Sequence, residues 1–149
     1  MNIIEENLDL LKSDTDLIAH QVNCLGVMGA GVAAQIKCKY PEVYKEYKET
    51  CEDFKHDTYY LFGKCLISGK VANLFGEDKP SSHYRDTNYE AIYQALESLR
   101  EQMIELGKTS VSFPYKMSCG LAKGDWDIIF TMIKSVFKST DFTIKICKI

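Results

Sequence analysis

Leu25-Gly26-Val27-Met28-Gly29-Ala30-Gly31-Val32 joins an apolar, strand-like run, Leu17-Ile18-Ala19-His20-Gln21-Val22, to a helix-like run over residues 32–39. Three glycines within six residues exceed what a strand-to-helix connection needs for its own turn. Glycine lets the backbone adopt positive φ and approach an anion closely, and the free N–H groups of the helix start can then donate to its oxygens. A second turn, Ser118-Cys119-Gly120-Leu121-Ala122-Lys123-Gly124-Asp125-Trp126, stands in the same relation to its neighbours. It follows the strand-like Val111-Ser112-Phe113 and precedes an apolar stripe of Ile129, Met132, Ile133, Val136 and Phe137. Two such turns in one chain point to a ligand with two phosphates.

Outward from these turns the periodicities alternate between strand and helix. A first strand is expected around Ile3-Ile4. Pro41 suits the first turn of a helix on which Tyr44, Tyr47, Cys51 and Phe54 share a face. Lys64-Cys65-Leu66-Ile67 and Lys70-Val71-Ala72-Asn73-Leu74-Phe75 flank Ser68-Gly69, which predicts a hairpin turning at that dipeptide. A polar loop with Pro80 follows. Asn88 then caps a long helix carrying Ile92, Leu96, Leu99 and Met103 on one stripe and stopping at Gly107. Alternation over residues 142–147 makes a final strand. Strands separated by helices imply an α/β fold of three α/β/α layers, a mixed, mostly parallel sheet of about six strands with helices on both faces. Ligands of such sheets bind at the C-terminal ends of the strands, where both turns fall.

At 149 residues, 46% of them hydrophobic, the chain has the size of one domain, residues 1–149. A formal net charge of −3 provides no overall field for nucleic acid or an anionic membrane, so neither is expected as a partner. The six cysteines contain no CxxC pair, and His20, His56 and His83 stand at no metal-ligand spacing to them, so no metal is expected. No run is long enough to cross a bilayer and no export signal opens the chain, so reduced thiols, a cytoplasmic location and a monomer are expected.

His20-Gln21-Val22-Asn23-Cys24-Leu25-Gly26-Val27-Met28-Gly29-Ala30-Gly31-Val32-Ala33 resembles the first ADP-ribose-binding loop of the macrodomains. Phe113-Pro114-Tyr115-Lys116-Met117-Ser118-Cys119-Gly120-Leu121, running into Gly124-Asp125-Trp126, resembles their second, diphosphate-binding loop. Their order and separation also match, and the Met-Gly-Ala-Gly form looks most like the branch of the terminal ADP-ribose protein glycohydrolase and the yeast-type ADP-ribose-1''-phosphate phosphatase.

The resemblance implies ADP-ribose, or an ADP-ribosylated protein or small molecule, as partner, and no cofactor. It implies ligand roles for Gly26, Met28, Gly29, Ala30, Gly31 and Val32 on the distal-ribose side, and for Ser118, Cys119, Gly120, Leu121 and Ala122 around the diphosphate. Asn7 and Leu8 occupy the place of the family's Gly-Asp-Leu, whose aspartate accepts from the adenine amino group. The Asn7 amide oxygen can accept the same bond without a charge. Asn23 matches the asparagine beside the distal ribose and is a catalytic candidate, the alternative being a loop asparagine bonding local backbone. Asp125 either orients a water toward the anomeric carbon or caps the last helix. His20, three residues before Asn23 on an alternating strand, is either a third catalytic candidate or a core histidine.

Two departures bear on the chemistry. The branch's aspartate after Cys-Gly-Leu is Ala122 here, and its lysine after the hairpin falls at Glu77 or Asp78, with Lys79 reached only through an insertion. Lys123 stands near the second turn, and the loop from Glu77 through Lys79, His83 and Arg85 to Asp86 carries further candidates. The expected function is therefore hydrolysis of a group on the distal ribose of ADP-ribose: a protein ester, a 1''-phosphate or an acetyl ester. The alternative is a reader that binds ADP-ribose without turnover.

Overall fold

The computed structural model describes residues 1–77, 87–119 and 123–148. Gly120, Leu121, Ala122 and the stretch from Asp78 through Lys79, His83 and Arg85 to Asp86 lie outside the described residues. Within them the chain runs β1 (Asn2–Glu6), β2 (Leu17–Asn23), α1 (Gly31–Lys39), α2 (Pro41–Asp53), β3 (Cys65–Ser68), β4 (Val71–Glu77), α3 (Tyr89–Leu106), β5 (Ser110–Pro114), α4 (Trp126–Phe137) and β6 (Thr143–Cys147). Short 3-10 turns at Leu10–Lys12 and Thr58–Leu61 were not expected from the sequence, because three or four residues are too few to show a period.

The strands form a single sheet in the order β1-β6-β5-β2-β4-β3, all pairs parallel except the β3–β4 hairpin at one edge. This is the three-layer α/β/α arrangement with a mixed, mostly parallel sheet. The central strands β2 and β4 are buried nearly throughout, as sheets covered on both faces require. Leu17, Ala19, Ala72, Leu74, Val111, Phe113, Ile144 and Ile146 pack on one face against α3 and α4. On the other, Val22 and Phe75 meet Tyr47 and Cys51 of α2, and Ile18 and Val71 meet Ile36 of α1 and Val43 of α2.

Local signals fix several boundaries. The Asn88 side chain accepts from the Ala91 N–H at 3.0 Å, and Gly107 ends α3 in the left-handed region at φ +70°. Pro41 begins α2 at its first turn. The hairpin turn sits one residue later than predicted: Ser68 pairs with Val71, leaving Gly69-Lys70 as the two-residue loop, with Gly69 at φ +55°. A type of turn that demands positive φ selects the glycine for its first central position, which pulls Ser68 into the strand.

Candidate functional site

Both glycine turns leave the C-terminal ends of neighbouring parallel strands, the first from β2 and the second from β5. In the first turn Gly26 (φ +82°) and Gly31 (φ +58°) occupy the left-handed region, and Gly29 does not. A Cβ on Gly29 would meet only a side-chain carbon of Val27 at 3.7 Å, so the residue's smallness keeps a surface clear and serves no turn geometry. Ala30 precedes α1 in extended conformation and offers no side-chain cap. The first N–H groups of α1 therefore face outward without a side chain of their own to bond, at the positive end of the helix dipole. Met28 is buried beneath the turn, whereas Gly29, Ala30 and Gly31 are exposed and Val32 half-buried.

Asn23 shapes this turn from inside. A bulge between Val22 and Asn23 breaks the alternation of β2, and the amide oxygen of Asn23 accepts from Leu25 N–H at 3.0 Å, Val27 N–H at 3.3 Å and the Tyr47 hydroxyl at 2.8 Å. Its amide nitrogen donates to the Val27 carbonyl at 2.8 Å, and the residue as a whole is buried. Tyr47 is fully buried on α2, where desolvation raises its hydroxyl far above the usual phenol range and keeps it a neutral donor. Beside it burial pushes the Cys51 thiol up to about 11. Neither group was singled out as functional in the sequence, since a tyrosine and a cysteine on an amphipathic helix look like core residues.

His20 lies on the α1–α2 face of the sheet with Ile18 and Val22. Its Nε2 donates to Oδ1 of Asn73 at 2.8 Å, because the Asn73 amide nitrogen is itself donating to the Leu66 carbonyl. Burial lowers its pKa to about 4, leaving a neutral ring whose Nδ1 has no partner among the described residues. This geometry is that of a core histidine.

The second turn is wound tightly, with Lys116, Ser118 and Lys123 at φ +59°, +71° and +61°. Such backbone costs energy in residues other than glycine and persists only where neighbours enforce it. Here they do. The Ser118 hydroxyl donates to Oε1 of Gln21 at 2.7 Å, and the Ser118 carbonyl accepts from Thr87 Oγ1 at 2.9 Å and Gly124 N–H at 2.6 Å. Gln21 Nε2 donates in turn to Thr87 Oγ1 at 3.1 Å. A Cβ on Gly124 would stand 2.5 Å from the Ser118 carbonyl oxygen, so this position requires glycine for space, and one on Gly76 would press on the side-chain ends of Gln21 and Ile92. Gln21 thus ties β2 to the turn after β5. The sequence signal was a polar residue inside an otherwise apolar central strand, on the face opposite His20.

Asp125 is exposed and caps α4, accepting from Asp127 N–H at 2.9 Å, while its own N–H donates to the Tyr89 hydroxyl at 2.9 Å. Cys119 is partly exposed, and its thiol donates to the Met117 carbonyl at 3.2 Å. Asn7 is exposed at the C-terminal end of β1, with Leu8 half-buried after it. The backbone bonds Lys148 N–H to Glu6 O and Tyr115 N–H to Cys147 O align the ends of β1, β6 and β5, so Asn7 and the second turn share one rim of the sheet. The structure therefore brings Asn7, Asn23 and both turns to a single edge and leaves His20 in the core below it.

Residues 19–133 match the model of the Macro domain family. The chain belongs to the macrodomain family. It is 31% identical over 137 residues to the human protein named ADP-ribose glycohydrolase OARD1, covering 89% of this chain and 81% of that one. Over 44 residues it is 48% identical to a Mycobacterium tuberculosis protein named DNA ADP-ribosyl glycohydrolase, a match that spans 30% of this chain and 12% of the relative. The solved macrodomain of Mycobacterium tuberculosis DarG superposes with a TM-score of 0.83 at 26% identity, covering 97% of this chain and 96% of that one. The family expected from the two turns is the family found, and the branch suggested by Met-Gly-Ala-Gly includes named hydrolases. Among the described residues of this macrodomain, no helix is long and apolar enough to cross a membrane.

Proposed function

We propose that this macrodomain binds ADP-ribose across its two glycine turns and hydrolyses the bond between the distal ribose and a group attached to it. The observation that carries the reading is the pairing of the turns. They emerge from adjacent strands and are held together by Gln21, Thr87 and Ser118, with the uncapped start of α1 facing the same edge. A pyrophosphate needs donors from two directions at fixed spacing, and two glycine turns leaving adjacent strands at one rim support that reading. The names of the hydrolase relatives support the activity.

In this reading Asn7 accepts from the adenine amino group, the second turn cradles the diphosphate, and the first turn with Asn23 receives the distal ribose. The turn that Asn23 shapes supplies orientation for the ribose or a water. Water then attacks and its proton leaves with the departing group. Asp125, whose carboxylate caps α4, is a weaker candidate for a base than its position in the sequence suggested, and His20 is removed from the reaction by its burial. A reader without turnover is the second reading, favoured by the engagement of Asn23 and Asp125 in structural bonds.

Calorimetry with ADP-ribose, AMP and NAD tests the ligand, and single-turnover assays on ADP-ribose-1''-phosphate and on a glutamate-ADP-ribosylated protein test the reaction. Tighter binding of ADP-ribose than of AMP, with product from either substrate, is expected. Binding without product would leave the reader, and equal affinity for AMP would remove ADP-ribose as the ligand.

A further inference from the structure

Hydrolysis at the distal ribose needs a group that takes a proton from water. Neither His20, neutral in the core, nor Asp125, which caps α4 beside the second turn, stands at the ribose end of the rim. Glu77 does. In the sheet register this last residue of β4 pairs with Asn23, the last residue of β2, across the bulge after Val22. Neighbouring strands run about 4.8 Å apart, so the two residues are adjacent at the mouth of the first glycine turn. They also share a face. Phe75 meets Tyr47 on the α2 face, and a Cβ on Gly76 would press on Gln21 and on Ile92 of α3, so the alternation of β4 returns Glu77 to the α2 face. The Asn23 amide is turned the same way, since its oxygen accepts from the Tyr47 hydroxyl. The backbone of Glu77 is held at two further points. Its carbonyl accepts from the Cys24 thiol at 3.5 Å, and a bridge joins it to Thr87, whose hydroxyl donates to the Ser118 carbonyl of the second turn. Glu77 is half-buried, and its carboxylate starts from a fixed strand end where the two turns approach each other. Glu5 and Glu6, at the end of β1, lie across β6, β5 and β2 from it. From the sequence Glu77 opened a polar loop, and only the register of β2 with β4 sets it beside Asn23.

We propose that Glu77 is the general base of the hydrolysis, taking a proton from the water that attacks the anomeric carbon of the distal ribose. The proposal rests on the reading above, in which the first turn receives that ribose. As the water oxygen bonds to the anomeric carbon, one water proton passes to a carboxylate oxygen of Glu77. The bond from that carbon to the departing oxygen breaks, and its electron pair leaves with the departing carboxylate or phosphate. The proton held by Glu77 then goes to the departing group or to solvent, which restores the carboxylate for the next turnover. The work is divided between adjacent strand ends: the turn shaped by Asn23 orients the ribose, and the residue beside it accepts the proton.

Single-turnover assays of Glu77→Gln on a glutamate-ADP-ribosylated protein test the proposal, with calorimetry on ADP-ribose alongside. The variant keeps the shape of the side chain and cannot accept the proton. Its rate should fall by about a hundredfold or more, while its affinity for ADP-ribose stays within about twofold of the wild type. Glu77→Ala should be equally slow and should regain rate when formate is added at high concentration, because the small carboxylate stands in for the missing one. A residue that only shapes the turn gives no such rescue. A wild-type rate in Glu77→Gln, a loss of rate no greater than its loss of affinity, or a Glu77→Ala rate that formate leaves unchanged would each overturn the base while leaving the hydrolase reading in place. A wild-type protein that binds ADP-ribose and yields no product removes the hydrolase reading itself, and the base with it.

Discussion

The Tyr47 hydroxyl lies 2.7 Å from the backbone carbonyl oxygen of Asn23 and 2.8 Å from its side-chain oxygen, so one buried proton from α2 serves both ends of the residue that opens the first glycine turn. Tyr47→Phe removes that proton and keeps the ring stacked on Phe75. The variant should lose about 1 kcal/mol of stability in urea unfolding. Its affinity for ADP-ribose should fall severalfold, since Asn23 then holds the turn through its bonds to the Leu25 and Val27 backbone alone. Wild-type affinity would mean that Asn23 needs no support from α2.

Gly29 offers a cleaner probe of the ligand than its neighbours. Its backbone is open to any residue and a Cβ meets nothing closer than 3.7 Å. Gly29→Glu should therefore unfold at the wild-type temperature while ADP-ribose binding is abolished, because the added carboxylate occupies an anion's place at the start of α1. Retained binding in calorimetry would remove the first turn from the site.

Gly124→Ala should act in the opposite way, through the fold of the turn. The new methyl would press on the Ser118 carbonyl at 2.5 Å and on Thr87 at 3.4 Å, and the turn must open to admit it. A loss of about 1–3 kcal/mol in stability is expected, together with a tenfold or greater loss of ADP-ribose affinity measured by calorimetry.

Acid stability carries the signature of His20. Its folded-state pKa is lowered by burial from 6.5 to about 4, so between these values the unfolded chain binds a proton that the folded protein does not. Its contribution is complete above pH 6.5 and is lost on acidification through that window, by about 1.4 kcal/mol per pH unit. His20→Gln keeps a donor toward Asn73 and does not titrate. Urea unfolding from pH 7 to 4 should show a shallower decline in the variant, and an identical decline would refute the buried neutral histidine.

The elements that could be read from the sequence were those with local causes. Asn88 and Gly107 bracket α3 because a capping amide and a left-handed glycine act on their nearest neighbours. The hairpin was off by one because two glycine-containing dipeptides, Ser68-Gly69 and Gly69-Lys70, compete and only strand register decides between them. The turns were legible as a pair at the C-terminal ends of strands. What holds them was not: Gln21 and Ser118 are 97 residues apart, and Asn23 meets Tyr47 only because α2 folds across Val22 and Phe75. Strand alternation would put Asn23 on the face opposite His20, but a bulge that left no mark in the residue pattern turns Asn23 toward α2.

The bond from Ser118 to Gln21 joins the late third of the chain to its beginning, and Thr87 enters the same knot from the middle. A nascent or truncated chain that ends before β5 has the first turn and lacks what closes the cleft. This rim of the sheet is thus among the last features to be assembled and depends on a contact between residues 97 apart in the chain. Occupancy by ligand becomes an assay for completed folding, and protection of the Ser118 and Gly124 amides against hydrogen exchange should rise with ligand before that of the α3 amides does.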